Sequence, residues 1–202
     1  MPINPRYLAT FECGKKYHVF NRTHKGLLLF KDDDDYSRFL EKTVKYILPY
    51  VEMHSFSLLP NHFHFFFEFK ELALEVYSKE FSSPHKFLCE QLRCLFISHT
   101  KYMNEKYDRH GGLFSRTFRR IEVDGIEYAK QMVFYIHWNH VHHDISNKLE
   151  DYPYSSYYEF LCDCPGLVKR ETVLEWFGGL ENFIKEHKEQ ESHYLNFKFR
   201  ME

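Results

Sequence analysis

Residues 57–70, SLLPNHFHFFFEFK, decide how the chain is read. Pro60-Asn61 is a turn pair between two apolar runs, so residues 50–59 (YVEMHSFSLL) and 62–69 (HFHFFFEF) are expected to form a β-hairpin. Side chains alternate along a strand. Phe63, Phe65 and Phe67 therefore share one face, and His62, His64, Phe66 and Glu68 share the other. The phenylalanine face should pack under helices. The two imidazoles stand about 7 Å apart along the backbone, near enough to hold one cation. Burying them unpartnered would be costly, so their face needs water, a ligand or a cation. Two hydrogen-bonded or half-exposed histidines satisfy the same spacing. With 14 His in 202 residues, about one H-x-H is expected by chance, so spacing alone does not choose.

Working outward, residues 17–22 (YHVFNR) read as a short strand. Asp32, Asp33, Asp34 and Asp35 open a helix at the end where negative charge suits the dipole. Tyr36, Phe39, Leu40, Val44 and Ile47 supply its apolar stripe, and Pro49 stops it. Pro84 opens a long helix carrying Leu88, Leu92, Leu95, Phe96, Met103 and Tyr107, which Gly111-Gly112 end. Residues 115–123 (SRTFRRIEV) read as a fourth strand. Asp124 and Glu127 have the spacing of an acidic capping box, with a helix running from there to about His140. The order strand, helix, strand, strand, helix, strand, helix is a split β-α-β pattern, so an α+β, ferredoxin-like antiparallel sheet with helices on one face is expected. Residues 1–160 form this domain. Residues 161–202 form a C-terminal helical extension, with two short helices broken at Gly178-Gly179.

Residues 128–143 (YAKQMVFYIHWNHVHH) make a helix whose stripe centres on Ala129, Met132, Val133 and Ile136. Tyr135 and Asn139 lie about 110° and about 70° from its middle, on the same flank, and stack at i, i+4. A phenol and an amide oxygen one turn apart could meet a cation held by His62 and His64. With 15 tyrosines, a packed aromatic is the ordinary fate of any one, and Tyr128, Tyr152, Tyr154, Tyr157 and Tyr158 compete on composition. The His140, His142, His143 cluster offers a separate idea, a metal-dependent hydrolase.

Composition bounds the classes. A hydrophobic fraction of 44% and a charged fraction of 28% suit an ordinary globular protein. Neither an apolar run of membrane-spanning length nor the apolar core of a signal peptide is present, so a cytoplasmic protein is expected. Five cysteines without framework spacing fit reduced thiols, and Cys162 and Cys164 lack the second ligand pair a zinc site needs. A net charge of -2 is not that of a basic nucleic-acid binder. Local clusters must then carry any DNA contact: Arg22 with Lys15, Lys16 and Lys25, and Arg116, Arg119 and Arg120 on one strand.

Five blocks in order, YHVFNR (17–22), LLPNHFHFFFEF (58–69), GGLFSRTFRRIEV (111–123), YIHWNHVHHDI (135–145) and YPYSSYYEFL (152–161), resemble the single-tyrosine transposases of the HUH superfamily, including the REP-associated tyrosine transposases. The resemblance implies a ferredoxin-like domain that nicks and rejoins single-stranded DNA beside a hairpin or imperfect palindrome, through a 5'-phosphotyrosine, as a monomer or homodimer. It further implies Tyr135 as nucleophile and His62, His64 and Asn139 as ligands of Mg²⁺ or Mn²⁺. A domesticated relative would bind hairpins without cutting. The chain departs from the family in reading Asn139-His140 where relatives commonly have Asn-Pro. Trp138 stands where rolling-circle initiators carry a lysine three residues beyond the tyrosine.

Overall fold

The computed structural model describes residue 4 and residues 7–24, 26–72, 74–115, 117–162 and 165–191. Four antiparallel strands, β1 (Lys16–Arg22), β2 (Val51–Leu59), β3 (His62–Phe69) and β4 (Arg119–Glu122), form a sheet in the order β2-β3-β1-β4. Helices α1 (Asp33–Tyr46), α2 (Leu74–Tyr77), α3 (Pro84–Lys106), α4 (Ile126–His142), α5 (Tyr157–Leu161), α6 (Arg170–Phe177) and α7 (Leu180–Glu189) connect and follow the strands. The hairpin turns at Pro60-Asn61 as expected, and the fold is α+β.

Alternation sorts the core. Phe63, Phe65 and Phe67 join Val19, Phe39, Leu92, Leu95 and Phe96 under α1 and α3. One difference from expectation concerns the other face, which is not open. Phe66 is buried there with Ala129, Met132, Val133 and Ile136 of α4, so helices cover both sides of the sheet. The small Ser55 and Ser57, paired with Phe66 and His64 and wholly buried, give α4 room to come close to β2. The segment beyond Phe160 belongs to the same second core: Val173, Leu174, Phe177 and Phe183 pack with α4.

The acidic run works as expected at α1, where the Asp32 side chain caps the helix by accepting from the Asp35 N–H. Lys106 and Tyr107, from the end of α3, close on both Asp32 and Asp35 and tie the two helices together. Three details depart from expectation. Val44 is 46% exposed, five residues and about 140° round the helix from the buried Phe39. At α4 the N-cap is Gly125, with φ 78 and no side-chain cap, so Asp124 and Glu127 form no capping box. Cys162 is disulfide-bonded, although five reduced thiols are expected, while Cys13, Cys89 and Cys94 are free.

The free edge of β2 is covered by the tail. Leu58 N–H donates to Tyr154 O and Ser156 N–H to Phe56 O, while Ser57 bridges Ser155. A buried chain of hydrogen bonds then reaches α7. Phe183 O can only accept, so His187 Nδ1–H donates to it at 2.8 Å. Neutral His187 Nε2 accepts from His137 Nδ1–H at 2.9 Å, His137 Nε2 from Ser156 Oγ–H at 2.9 Å, and Ser156 Oγ from Phe56 N–H. Every proton in that chain has one place to go.

Burial holds three histidines away from the candidate site well below the ordinary imidazole pKa: His54 and His187 at about 3 and His99 at about 4. Each folded value lies below the unfolded value of about 6.5, so each contribution is whole above that pH and is lost as pH falls toward the folded value. Denaturant unfolding at pH 5.5 should show a loss of about 1.4 kcal/mol per histidine relative to pH 7.5. His99→Gln should make the pH dependence shallower; an unchanged slope would contradict this assignment.

Candidate active site

Directly paired residues of antiparallel strands share a face, and the register therefore builds the site. Phe20 pairs with His64, His18 with Phe66 and Arg22 with His62 on β1 and β3. His18, Phe20 and Arg22 thus stand beside the histidine pair, under or at the rim of α4. Across β1, Arg119 pairs with Phe20 and Arg120 with Val19. The two arginines therefore point to opposite faces.

Four predicted residues come together here. The His62 and His64 rings lie 5.2 Å apart at 86°. Tyr135 meets His64 edge-on, with ring centroids 5.5 Å apart, and one turn further on Asn139 Oδ1 lies 3.2 Å from His62 Nε2. His62, His64 and Asn139 are 6%, 1% and 1% exposed, while Tyr135 is half-buried. The competing tyrosines are engaged elsewhere or turned outward. Tyr152 donates to Leu58 O, Tyr154 bonds Asp33, Tyr157 packs against Phe183, and Tyr128 and Tyr158 are exposed.

Burial keeps His64 and its neighbour His18 neutral. Burial first, then the charges of His18, His62 and His143, push the His64 pKa well below 6.5, and burial takes His18 to about 3. Both rings are uncharged at neutral pH and can present lone pairs. His62 Nδ1 lies 2.6 Å from Asn61 Oδ1 and Nε2 3.2 Å from Asn139 Oδ1, and both oxygens accept, so a neutral His62 donates to one of them at a time, and with the proton on Nδ1 its Nε2 lone pair and Asn139 Oδ1 are two donors for a cation. His64 Nε2 is buried with no hydrogen-bond partner. Among the described residues no group of three His, Cys, Asp or Glu is arranged to hold a metal ion. The set here differs in type: two imidazole nitrogens, one of them orphaned, and one amide oxygen, which suit a small divalent cation.

A cavity of about 640 Å³ opens next to His62, lined in part by Phe20, Arg22, Asn61, Ser115 and Arg119. Arg119 lies over the rings of Tyr7 and Phe20, at 5.2 and 5.6 Å. Arg120 is used on the far side: its Nε donates to Ala9 O at 2.5 Å, and its guanidinium covers Phe11 and Phe118. Lys15 and Lys16 are ion-paired with Glu12, Glu122 and Glu68. Arg116 and Lys25 lie outside the described residues. The histidine cluster of α4 does not assemble as a site of its own. His140 Nδ1 bonds Ser146 Oγ at 2.7 Å and its ring stacks on Tyr152, while His143 packs against His62.

Sequence reasoning missed His18. Its Nε2 lies 2.8 Å from His64 Nδ1, and its ring meets Tyr135 edge-on at 5.8 Å. Alternation along residues 17–22 assigns His18 and Phe20 to a common face. Which strand lies beside that face is a matter of topology.

No family model matches the chain, and no curated protein does. Among the solved structures similar to it is a REP-associated tyrosine transposase bound to a REP hairpin, at TM-score 0.60 and 17% identity, over 80% of this chain and 86% of that one. At that identity the likeness is one of fold.

Proposed function

We propose that the chain is a single-tyrosine transposase that nicks and rejoins single-stranded DNA at a hairpin or imperfect palindrome. The observation that carries this reading is the meeting of Tyr135, His62, His64 and Asn139 in one cluster within a fold shared with a hairpin-bound tyrosine transposase. Tyr135 Oη attacks the scissile phosphorus, the bond to the 3' oxygen breaks, and the 5' phosphate stays on the tyrosine while a 3'-hydroxyl leaves. Attack by a 3'-hydroxyl on this aryl phosphodiester reverses the exchange without ATP. A divalent cation, Mg²⁺ or Mn²⁺, held by His62, His64 and Asn139, would supply charge neutralisation at a non-bridging oxygen. The chain's own part is orientation: α4 sets the phenol against the histidine pair, and Arg22 and Arg119 at the cavity rim are placed to meet phosphates. The acting unit is a monomer or a homodimer.

A non-cutting hairpin binder is the second reading. The burial of His64 beneath α4 favours it, because a scissile strand would need α4 to ease away.

With a hairpin oligonucleotide and Mn²⁺, a denaturation-resistant protein-DNA adduct is expected, lost in Tyr135→Phe, in His62→Ala and on chelation. An adduct undiminished in Tyr135→Phe would remove the nucleophile, and tight hairpin binding without adduct in any divalent ion would establish the binder. The two neighbouring arginines should behave differently. Arg119→Ala is expected to weaken hairpin binding and reduce its salt slope by about 1 while costing no more than about 1 kcal/mol of stability through its ring contacts. Arg120→Ala should lower the unfolding free energy by roughly 1 kcal/mol, by removing the bond to the part-buried Ala9 carbonyl and baring Phe11 and Phe118.

A further inference from the structure

Each histidine of the pair has its Nδ1 held by a different neighbour. His62 Nδ1 meets Asn61 Oδ1 at 2.6 Å, and His64 Nδ1 meets His18 Nε2 at 2.8 Å. Asn61 Oδ1 can only accept, as can Asn139 Oδ1 beside Nε2, so His62 is the donor in either contact. The second contact differs in kind, because either imidazole can donate. If His64 Nδ1–H donates, His64 Nε2 is a lone pair and the His18 proton sits on Nδ1. If His18 Nε2–H donates, His64 Nε2 carries a proton and cannot ligate. Both outer nitrogens, His18 Nδ1 and His64 Nε2, are buried without a partner. The pair is thus unlike the His137–His187 chain, whose protons are fixed from its ends by Phe183 O and Phe56 N–H.

We infer that His18 is a positioning residue that accepts the Nδ1 proton of His64 and so holds the His64 Nε2 lone pair toward a divalent cation. The inference rests on the reading of His62 and His64 as ligands and adds the neighbour that selects the ligating tautomer. A buried histidine with one nitrogen unpartnered is a poor choice for packing between Phe20 and Tyr135, where an apolar ring would serve without an orphaned polar atom. Its acceptor is placed where a metal-bound imidazole donates its second N–H. Cation binding would select the state in which His64 donates, with the two protons of the pair sitting on the two Nδ1 atoms.

Binding of Mn²⁺ alone to the full chain, read from the free-ion electron paramagnetic resonance signal, tests this without reference to cleavage. His18→Leu is expected to weaken Mn²⁺ binding about 10–100-fold. His18→Gln, whose Oε1 reaches the same place and can only accept, should stay within about threefold of wild type. Both variants should keep the wild-type circular dichroism. Unchanged binding in His18→Leu, or His18→Gln as weak as His18→Leu, would overturn the role of His18 and leave the nuclease reading intact. Wild-type protein that binds no Mn²⁺ would overturn the role and the ligand assignment together. His18-dependent binding without a Tyr135 adduct would support the role and sink only the nuclease reading.

Discussion

The central strand β3 is covered on both faces, and the rest of the molecule answers that constraint. Its phenylalanines fill the layer beneath α1 and α3, and its histidines meet α4. A strand buried on one side could expose its imidazoles to water. Covering the second side removes that option, and each ring must then find partners, stay neutral or hold a ligand. His62 and His64 do all three in part: Nδ1 of each is bonded, burial keeps His64 neutral, and His64 Nε2 is left over.

The second layer depends on how closely α4 can approach. Ser55 and Ser57 give the space, and the chain of hydrogen bonds from Phe56 through Ser156, His137 and His187 to Phe183 fixes the helix from behind. His137 lies about 200° round α4 from both Tyr135 and Asn139. One helix therefore presents a neutral, fully bonded imidazole to the tail and a phenol and an amide to the sheet. The C-terminal helices are in this sense part of the candidate site's frame.

Charge follows the same geometry. A net charge of -2 conceals a sheet edge where Arg22 and Arg119 line a cavity while Arg120 holds the chain at Leu8 and Ala9. Adjacent residues of a strand serve opposite layers, so a run of basic letters is divided between a surface and a core. The acidic run at residues 32–35 is likewise absorbed by Lys106 and Tyr107, and makes no ligand-binding cluster.

Period-2 alternation at residues 62–69 and period-3.6 spacing in α4 are local properties of an L-peptide, and they made the hairpin, the two-faced strand and the Tyr135–Asn139 flank legible in the sequence. Caps and breakers did the same for α1, the start of α3 at Pro84 and the α6–α7 break, whereas α3 ends at Lys106, ahead of the expected Gly111-Gly112. What the sequence left undetermined is what lies opposite each face. The antiparallel pairing of β1 with β3 brings His18 to His64, the folding of α4 over the second face closes a site expected to be open, and Arg119 and Arg120 part company through their register with Phe20 and Val19. The pairs His18–His64, Phe20–Arg119 and Val19–Arg120 are 46 to 101 positions apart in a chain of 202. They are set by which surfaces can be buried together, a choice that only the assembled core makes.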